Sequence, residues 1–475
     1  MLYNDAKQGR GKDMGKRPLE DIIRKYAEGK RARFHMPGHK GRAGEFNSAW
    51  DITEVTGTDN LYEPAGAIAE AQDLCAEAFG AGASLLLTGG STAGVLAMIL
   101  STCRPGEKII IGRDCHKSAV SALILCGLEP VFVAPRYQLE RELTGCIAEE
   151  DVIKAIEQNP DAKAIFLTRP NYYGLCMKLR KITDAAHKAG LKVLIDEAHG
   201  AHFPFHPAFP ENAGKMGADL WVQSAHKTLD ALGQGGYLHC AKAEDAKEVL
   251  AALALVQTSS PSYPIMASLD RARDGMASNG RALLQDALMM VQEAEERIAK
   301  IDGLAIFNPD EIPHAGGKDP LRLVIDVSGR GLSGYTAAGI LSAAGVEAEM
   351  ADRRRLVLIC TPWDRKADYD RLCRVLARLP LNSAKSKTVN APPTLPVKAM
   401  DPREAYYSDT EWLQLKECAG RTAAGTVGTY PPGTPGFIPG ETMDQPNLAR
   451  LIEEMEAGAG AFGLNNGMMR VVKTN

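Results

Sequence analysis

Two short segments carry the residues with the clearest chemical potential. Val193-Leu194-Ile195-Asp196-Glu197-Ala198-His199-Gly200 is an apolar run ending in a carboxylate, and about thirty residues later Leu220-Trp221-Val222 leads into Ser224-Ala225-His226-Lys227. A carboxylate at the end of one buried strand and a lysine just beyond another are what a pyridine cofactor requires. The lysine amine forms an imine with the cofactor, and the carboxylate keeps the ring nitrogen protonated so that the ring accepts electrons. In this order and context the pair points to pyridoxal 5'-phosphate (PLP), with Lys227 and Asp196 as catalytic residues. Neither would mean much alone.

A third segment offers a place for the phosphate. Leu85-Leu86-Leu87-Thr88-Gly89-Gly90-Ser91-Thr92-Ala93-Gly94 reads as a strand, a glycine turn and the start of a helix. Free backbone N–H groups and the positive end of the helix dipole make such a turn an anion cradle, and Ser91 and Thr92 add hydroxyl donors. Taken alone it is equally an ordinary strand-to-helix turn with a serine cap. Arg113-Asp114-Cys115-His116-Lys117-Ser118 follows the Ile109-Ile110-Ile111 run. There His116 either stacks on a ring or is a solvated loop side chain, and the residues by themselves lean to the second. Asp196, His199, His202 and His206 sit close enough in sequence to be weighed as zinc or manganese ligands of a metal-dependent hydrolase. Phe203-Pro204 interrupts any helix that would put those imidazoles on one face. Such a site also leaves Lys227 without a role, so no metal is expected.

Positioning these groups requires a frame, and the hydrophobic pattern supplies one. Ser84–Leu87, Lys108–Ile111, Pro130–Val133, Ala164–Leu167, Lys192–Ile195, Asp219–Val222 and Gly236–His239 are strand-sized apolar runs separated by helix-sized intervals. That alternation predicts an α/β domain with a mostly parallel sheet. Helical periodicity marks Leu19–Tyr26, Ala67–Phe79 and Arg271–Lys300. A second α+β pattern follows, with strands at Leu321–Val327 and Arg355–Cys360 and a helix at Gly334–Ala344. Leu381–Met400 is polar and proline-containing and reads as a linker. The expected division is an N-terminal arm with an active-site loop (residues 1–60), a cofactor-binding large domain (61–275), a small α+β domain (276–385) and a C-terminal domain (386–475).

Composition bounds the function classes. At 475 residues, 45% hydrophobic and 24% charged, the chain is an ordinary globular sequence long enough for two or three domains. A formal net charge of -4 gives no electrostatic case for nucleic acid or an anionic membrane. No apolar run approaches the ~18 residues of a membrane span, and Met1 to Arg17 lacks the apolar core of a secretory signal. The ten cysteines are scattered without a C-x-x-C pair among apolar neighbours, as expected of reduced thiols in a cytoplasmic protein.

Together these motifs resemble the Orn/Lys/Arg decarboxylase family of bacterial PLP enzymes. The resemblance is carried by His35-Met36-Pro37-Gly38-His39-Lys40, Gly89-Gly90-Ser91-Thr92, Arg113 to Ser118, Asp196 to Gly200 and Ser224 to Lys227. It continues through Ser328-Gly329-Arg330-Gly331-Leu332-Ser333-Gly334-Tyr335 to Tyr430-Pro431-Pro432-Gly433 and Pro439-Gly440-Glu441. It implies a PLP-dependent transferase-like large domain (fold type I) in the family's short form, with a small α+β domain and a C-terminal domain. The implied reaction is decarboxylation of a basic L-amino acid in polyamine metabolism, arginine or lysine ahead of ornithine. A homodimer or higher homo-oligomer with a shared active site is implied as well.

The resemblance also assigns roles. Lys227 becomes the attachment lysine, Asp196 the partner of the ring nitrogen and His116 the stacking residue. Gly90, Ser91, Thr92, Ser224 and His226 hold the phosphate, Ala198 packs on the other ring face, and His199 belongs to the same cofactor-binding motif. Ser259 sits where a hydroxyl reaches the phosphate of a partner subunit. A cationic side chain needs a buried carboxylate opposite it, and Glu441, then Asp59 and Glu63, are the candidates. The chain departs from the family pattern at Gly90, where a threonine is expected, at Arg169 and Asn171, and at Arg353-Arg354-Arg355. An aminotransferase or lyase on the same fold uses the same Asp–Lys pair, and the arginine run keeps that alternative open, because an aminotransferase clamps the α-carboxylate with arginine.

Overall fold

All seven apolar runs become strands of one sheet, to within a residue at each end. They are β1 (Ala83–Leu87), β2 (Lys108–Gly112), β3 (Glu129–Val133), β4 (Ala164–Thr168), β5 (Lys192–Asp196), β6 (Leu220–Gln223) and β7 (Gly236–Cys240), in the order β1-β7-β6-β5-β4-β2-β3. Only β7 runs antiparallel to its neighbours. Ile109, Ile110 and Ile111 are fully buried, because a parallel sheet is covered by helices on both faces and has no solvent side to alternate toward. The structure is a computed structural model that describes residues 32–33, 59–382, 392–430 and 433–474. The Leu19–Tyr26 helix, the His35 to Lys40 loop and Pro431-Pro432 lie outside the described residues.

Helices α1 (Ala67–Phe79), α2 (Gly90–Thr102) and α3 (Lys117–Cys126) flank the sheet, and α2 packs unusually close to it. A Cβ on Gly94 would come 2.5 Å from Val222 Cγ2 and 2.8 Å from Leu87 Cδ1. Any side chain there would lift α2, and the turn at its N-terminus, away from β6 and β1.

A long helix, α4 (Tyr263–Ile298), leads from the large domain into the small one. The boundary expected at residue 275 therefore falls inside a continuous helix. Four antiparallel strands follow, β8 (Ala305–Ile306), β9 (Arg322–Asp326), β10 (Met350–Ala351) and β11 (Arg355–Ile359), ordered β8-β9-β11-β10. The helix expected at Gly334–Ala344 spans Gly334–Ala343. A ribbon of Leu175–Met177 against Ala315–Lys318 stitches the small domain to the large one, and the Asp319 N–H donates to the Gly174 carbonyl at 2.8 Å. One apolar cluster runs from Leu61 and Phe79 through Leu284 and Val291 to Leu323 and Leu356, so the two domains share a core.

The C-terminal region has its own small core around Val427, Phe437, Met443, Leu448 and Val471. Thr410–Gln414 pairs with Met468–Val472, and Val427–Thr429 lies between Pro435–Phe437 and Ala461–Phe462. The described end of the expected linker is pinned to it, the Thr442 N–H donating to the Val397 carbonyl at 2.8 Å. No helix among the described residues is long and apolar enough to cross a membrane.

Candidate active site

The residues singled out for chemistry collect at the carboxyl ends of the parallel strands, where open α/β sheets place their ligands. Asp196 closes β5, Ser224 to Lys227 follow β6, Gly89 and Gly90 follow β1, and His116 follows β2. Asp196 is buried, and the only hydrogen bond to its side chain among the described residues comes from the Ala198 N–H at 3.1 Å. Burial raises its pKa, opposed by the positive charge of Lys227 and by that N–H. A buried carboxylate this short of donors suits a cationic N–H partner.

Lys227 Nζ lies 3.0 Å from His199 Nε2. Burial lowers the lysine pKa, Asp196 and Glu349 raise it, and Arg322 lowers it further. His199 is buried with its Nδ1 3.0 Å from Arg322 Nη2, and the Tyr172 ring meets it edge-on at 4.8 Å. Burial, then Lys227 and Arg322, hold its pKa well below the usual imidazole value. His116 caps α3, its Nδ1 accepting from the Ser118 N–H at 3.3 Å, so the proton of the neutral ring sits on Nε2. Burial and the nearby charges of Lys227 and Lys117 bring its pKa down to about 4, which leaves a neutral, flat ring beside the lysine.

The turn expected to hold a phosphate is rigidly held. Gln257 Oε1 accepts from the Thr88 and Gly89 N–H groups at 2.8 and 3.1 Å, and the Gly90 N–H donates to the Gln234 carbonyl at 2.8 Å. No side chain caps α2, so the Ser91 and Thr92 N–H groups of its first turn have no helical partner. Gly90 has φ of +71°, a left-handed conformation costly for a β-branched residue, which accounts for glycine where threonine was expected. Ser224 Oγ is buried without a partner, and His226 donates its Nδ1–H to the Gly235 carbonyl at 2.8 Å. Ala198 is buried. Ser259 is exposed, two residues from the Gln257 that braces the turn.

The candidate substrate carboxylates sit in three different settings. Glu441 is buried in a salt bridge with Arg113 (3.0 Å) and accepts from the Ile438 N–H at 2.9 Å. Arg113 also donates to the Pro435 and Gly436 carbonyls, so Glu441 docks the C-terminal region within this chain. Asp59 accepts from the N–H groups of Ala65, Gly66 and Ile68. Slight burial opposes those bonds, yet they bring its pKa down to about 2, and it serves as an anchor for the start of α1. Glu63 is exposed, with no side-chain hydrogen bond among the described residues. After Asp196, the carboxylate whose charge most raises the proton affinity of Lys227 is one that sequence reasoning missed, Glu349.

The arginines find local partners. Arg169 pairs with Glu197 at 3.1 Å, Arg353 with Glu454 at 2.7 Å, Arg354 with Asp326 at 3.1 Å and Arg355 with Asp352 at 3.1 Å. Asn171 Oδ1 caps its own turn, accepting from the Tyr173 and Leu175 N–H groups. The histidine cluster disperses, His202 to Asp319 at 3.1 Å and His206 to Gln285 at 3.2 Å. Among the described residues no group of three or more His, Cys, Asp or Glu side chains is arranged to hold a metal ion.

A cavity of about 330 Å3 is lined by Asp114, Thr168, Asn171, Tyr172, Thr434 and Arg450 among others, but not by Asp196, Lys227, His116 or His199; Thr168 pairs with Asp196 across β4 and β5. A second hollow of about 600 Å3, around Phe307 and Lys318, contains none of these residues. Asp114 Oδ1 is buried without a partner, and burial, with the Asp196 charge adding to it, pushes the Asp114 pKa up to about 7. A carboxyl with a folded pKa above its unfolded value stabilises fully only below the unfolded value, about 3.8, and loses that stability as pH rises through 7. Asp114→Asn is therefore expected to stabilise the cofactor-free protein by on the order of 1–2 kcal/mol at pH 8 and far less at pH 4. Denaturant unfolding at the two pH values measures the difference; equal effects would mean that Asp114 is ionised throughout.

Comparison with known proteins adds a family. Residues 17–368 match "Orn/Lys/Arg decarboxylase, major domain" and residues 384–463 match "Orn/Lys/Arg decarboxylase, C-terminal domain". The arginine decarboxylase of Bacillus subtilis is 34% identical over 478 residues, covering 96% of this chain and 98% of that protein. The arginine decarboxylase of Halalkalibacterium halodurans is also 34% identical, over 96% of this chain and 97% of its own. Among solved structures, the constitutive lysine decarboxylase of Escherichia coli superposes with a TM-score of 0.76 at 21% identity, covering 89% of this chain and 75% of that one.

Proposed function

The chain belongs to the Orn/Lys/Arg decarboxylase family and is an amino acid carboxy-lyase of fold type I acting on a basic amino acid, and from that premise we propose that it is PLP-dependent, with arginine as its first substrate. Lysine and then ornithine rank behind arginine, because both of the 34% relatives are arginine decarboxylases. The observation that carries the cofactor reading is the pairing of Asp196, buried with a single backbone donor, with Lys227, whose charge acts on it directly.

The residues present fit the group. Lys227 would attach it, Asp196 would face its ring nitrogen, and His116 and Ala198 would bound the ring. Ser91, Thr92, Ser224 and His226 would take the phosphate, with the orphaned Ser224 Oγ gaining a partner. When bound, PLP accepts the electron pair left on Cα as the carboxylate departs. The chain's own task is to exclude water, to carry protons on Lys227 Nζ and His199 Nε2, and to orient the substrate. We further propose a homodimer with a shared site, in which Ser259 reaches the partner's phosphate, and a cytoplasmic role in polyamine metabolism. Purified protein supplied with PLP should release carbon dioxide and agmatine from arginine faster than cadaverine from lysine or putrescine from ornithine. Pyruvate- or 2-oxoglutarate-dependent amine transfer without carbon dioxide would replace this reading with an aminotransferase.

For the substrate's cationic end we favour Glu349, whose charge acts on Lys227, over Glu441, Asp59 and the exposed Glu63. Glu349→Gln should raise KM for the basic amino acid about tenfold or more, the scale of a lost charge-assisted hydrogen bond, with little change in cofactor content. An unchanged KM would return attention to Glu63.

A further inference from the structure

We propose that Arg322 is a positioning residue that fixes His199 in the Nε2–H tautomer, so that the free Lys227 rests as a neutral amine. This deepens the role given to Lys227 above and rests on it. Three side chains form a line, Arg322 Nη2 to His199 Nδ1 at 3.0 Å and His199 Nε2 to Lys227 Nζ at 3.0 Å. A guanidinium stays charged and has only donors, so His199 Nδ1 must offer its lone pair. The ring proton then sits on Nε2 and points at Lys227 Nζ. An ammonium has no lone pair to receive it; an amine has. The opposite tautomer would set an N–H against the guanidinium, and a doubly protonated ring would face a donor at each end.

The surroundings of Lys227 make such a device useful. Asp196 and Glu349 favour the ammonium form, His116 is neutral, and burial and Arg322 oppose the charge. Arg322 itself is fully buried on β9, with Nε and Nη1 lacking partners among the described residues. A buried cation with so few hydrogen bonds is costly to the fold. It is placed there through Gly174, where a Cβ would come 2.7 Å from Arg322 Cβ, and through the bond from Asp319 N to the Gly174 carbonyl. Asp319, the acidic neighbour, is already engaged by His202 Nε2 at 3.1 Å and by the Leu321 N–H at 2.9 Å. The small domain thus reaches the lysine of the large domain through one imidazole.

The test begins with 15N-histidine NMR of the cofactor-free wild-type protein, with His199 assigned by His199→Gln. Nε2 should be protonated and Nδ1 bare from pH 6 to 9; the reverse pattern, or tautomer exchange, would overturn the proposal without any variant having to fold. The second arm measures the pH midpoint of covalent PLP capture by cofactor-free protein. Arg322→Met should raise that midpoint by about one pH unit or more, and Arg322→Lys, whose ammonium also only donates, should restore most of the wild-type value. A folded Arg322→Met protein with an unchanged midpoint would also overturn it. Should wild-type protein capture no PLP at all, the role of Lys227 fails instead, and the tautomer measurement still stands by itself.

Discussion

Replacing Lys227 with alanine is expected to cut turnover by roughly 10^4-fold or more, the scale on which loss of a covalent catalytic group acts. The residue follows β6 in a four-residue helical turn, Ala225–Thr228, and its amine is buried against His199. Nothing else at the site offers a primary amine in that position among the described residues: Lys117 lies beside the rings of Tyr430 and Phe462, and Lys318 sits over Phe307. The variant should also bind PLP without a borohydride-reducible link, so that dialysis removes its colour. Turnover within tenfold of wild type would remove Lys227 from the chemistry.

Asp196→Asn should bind PLP yet lose about ten- to a hundredfold in kcat, corresponding to the ~1.5–3 kcal/mol of a charge-assisted hydrogen bond. An amide has the shape of the carboxylate but cannot balance a protonated ring nitrogen. Because Asp196 also raises the proton affinity of Lys227, the variant should bind protons less tightly at that amine. Its cofactor absorbance should therefore titrate at lower pH than that of wild type. A wild-type rate with an unmoved titration would contradict the electron-sink role.

The sheet was legible because its strands are apolar on both faces, so run length alone marks them and the residues just past each run fall at the ligand edge. Asp196, Lys227 and the Gly89-Gly90 turn were singled out in that way, whereas His116 was singled out only through the family resemblance. Arg322 and Glu349 were not, because they reach the site from the small domain through a tertiary pairing that no local spacing records. One clue to Arg322 was present: a lone charge beginning the apolar run Leu323-Val324-Ile325. The partners of the candidate substrate carboxylates were illegible for a related reason. Whether Glu441 meets a ligand or Arg113, and whether Asp59 faces solvent or the first amides of α1, depends on contacts between segments distant in sequence or on loop geometry. The domain boundary was placed inside α4 because a helix shared by two domains shows continuous periodicity and no break in composition.

Borohydride reduction of the PLP-loaded enzyme, followed by proteolysis and mass spectrometry, tests the site at its centre. The pyridoxyl phosphate mass should appear on the peptide containing Ser224-Ala225-His226-Lys227, with Lys227 as the modified residue. The same mass on Lys117, Lys318 or any other lysine, with Lys227 unmodified, would contradict the account.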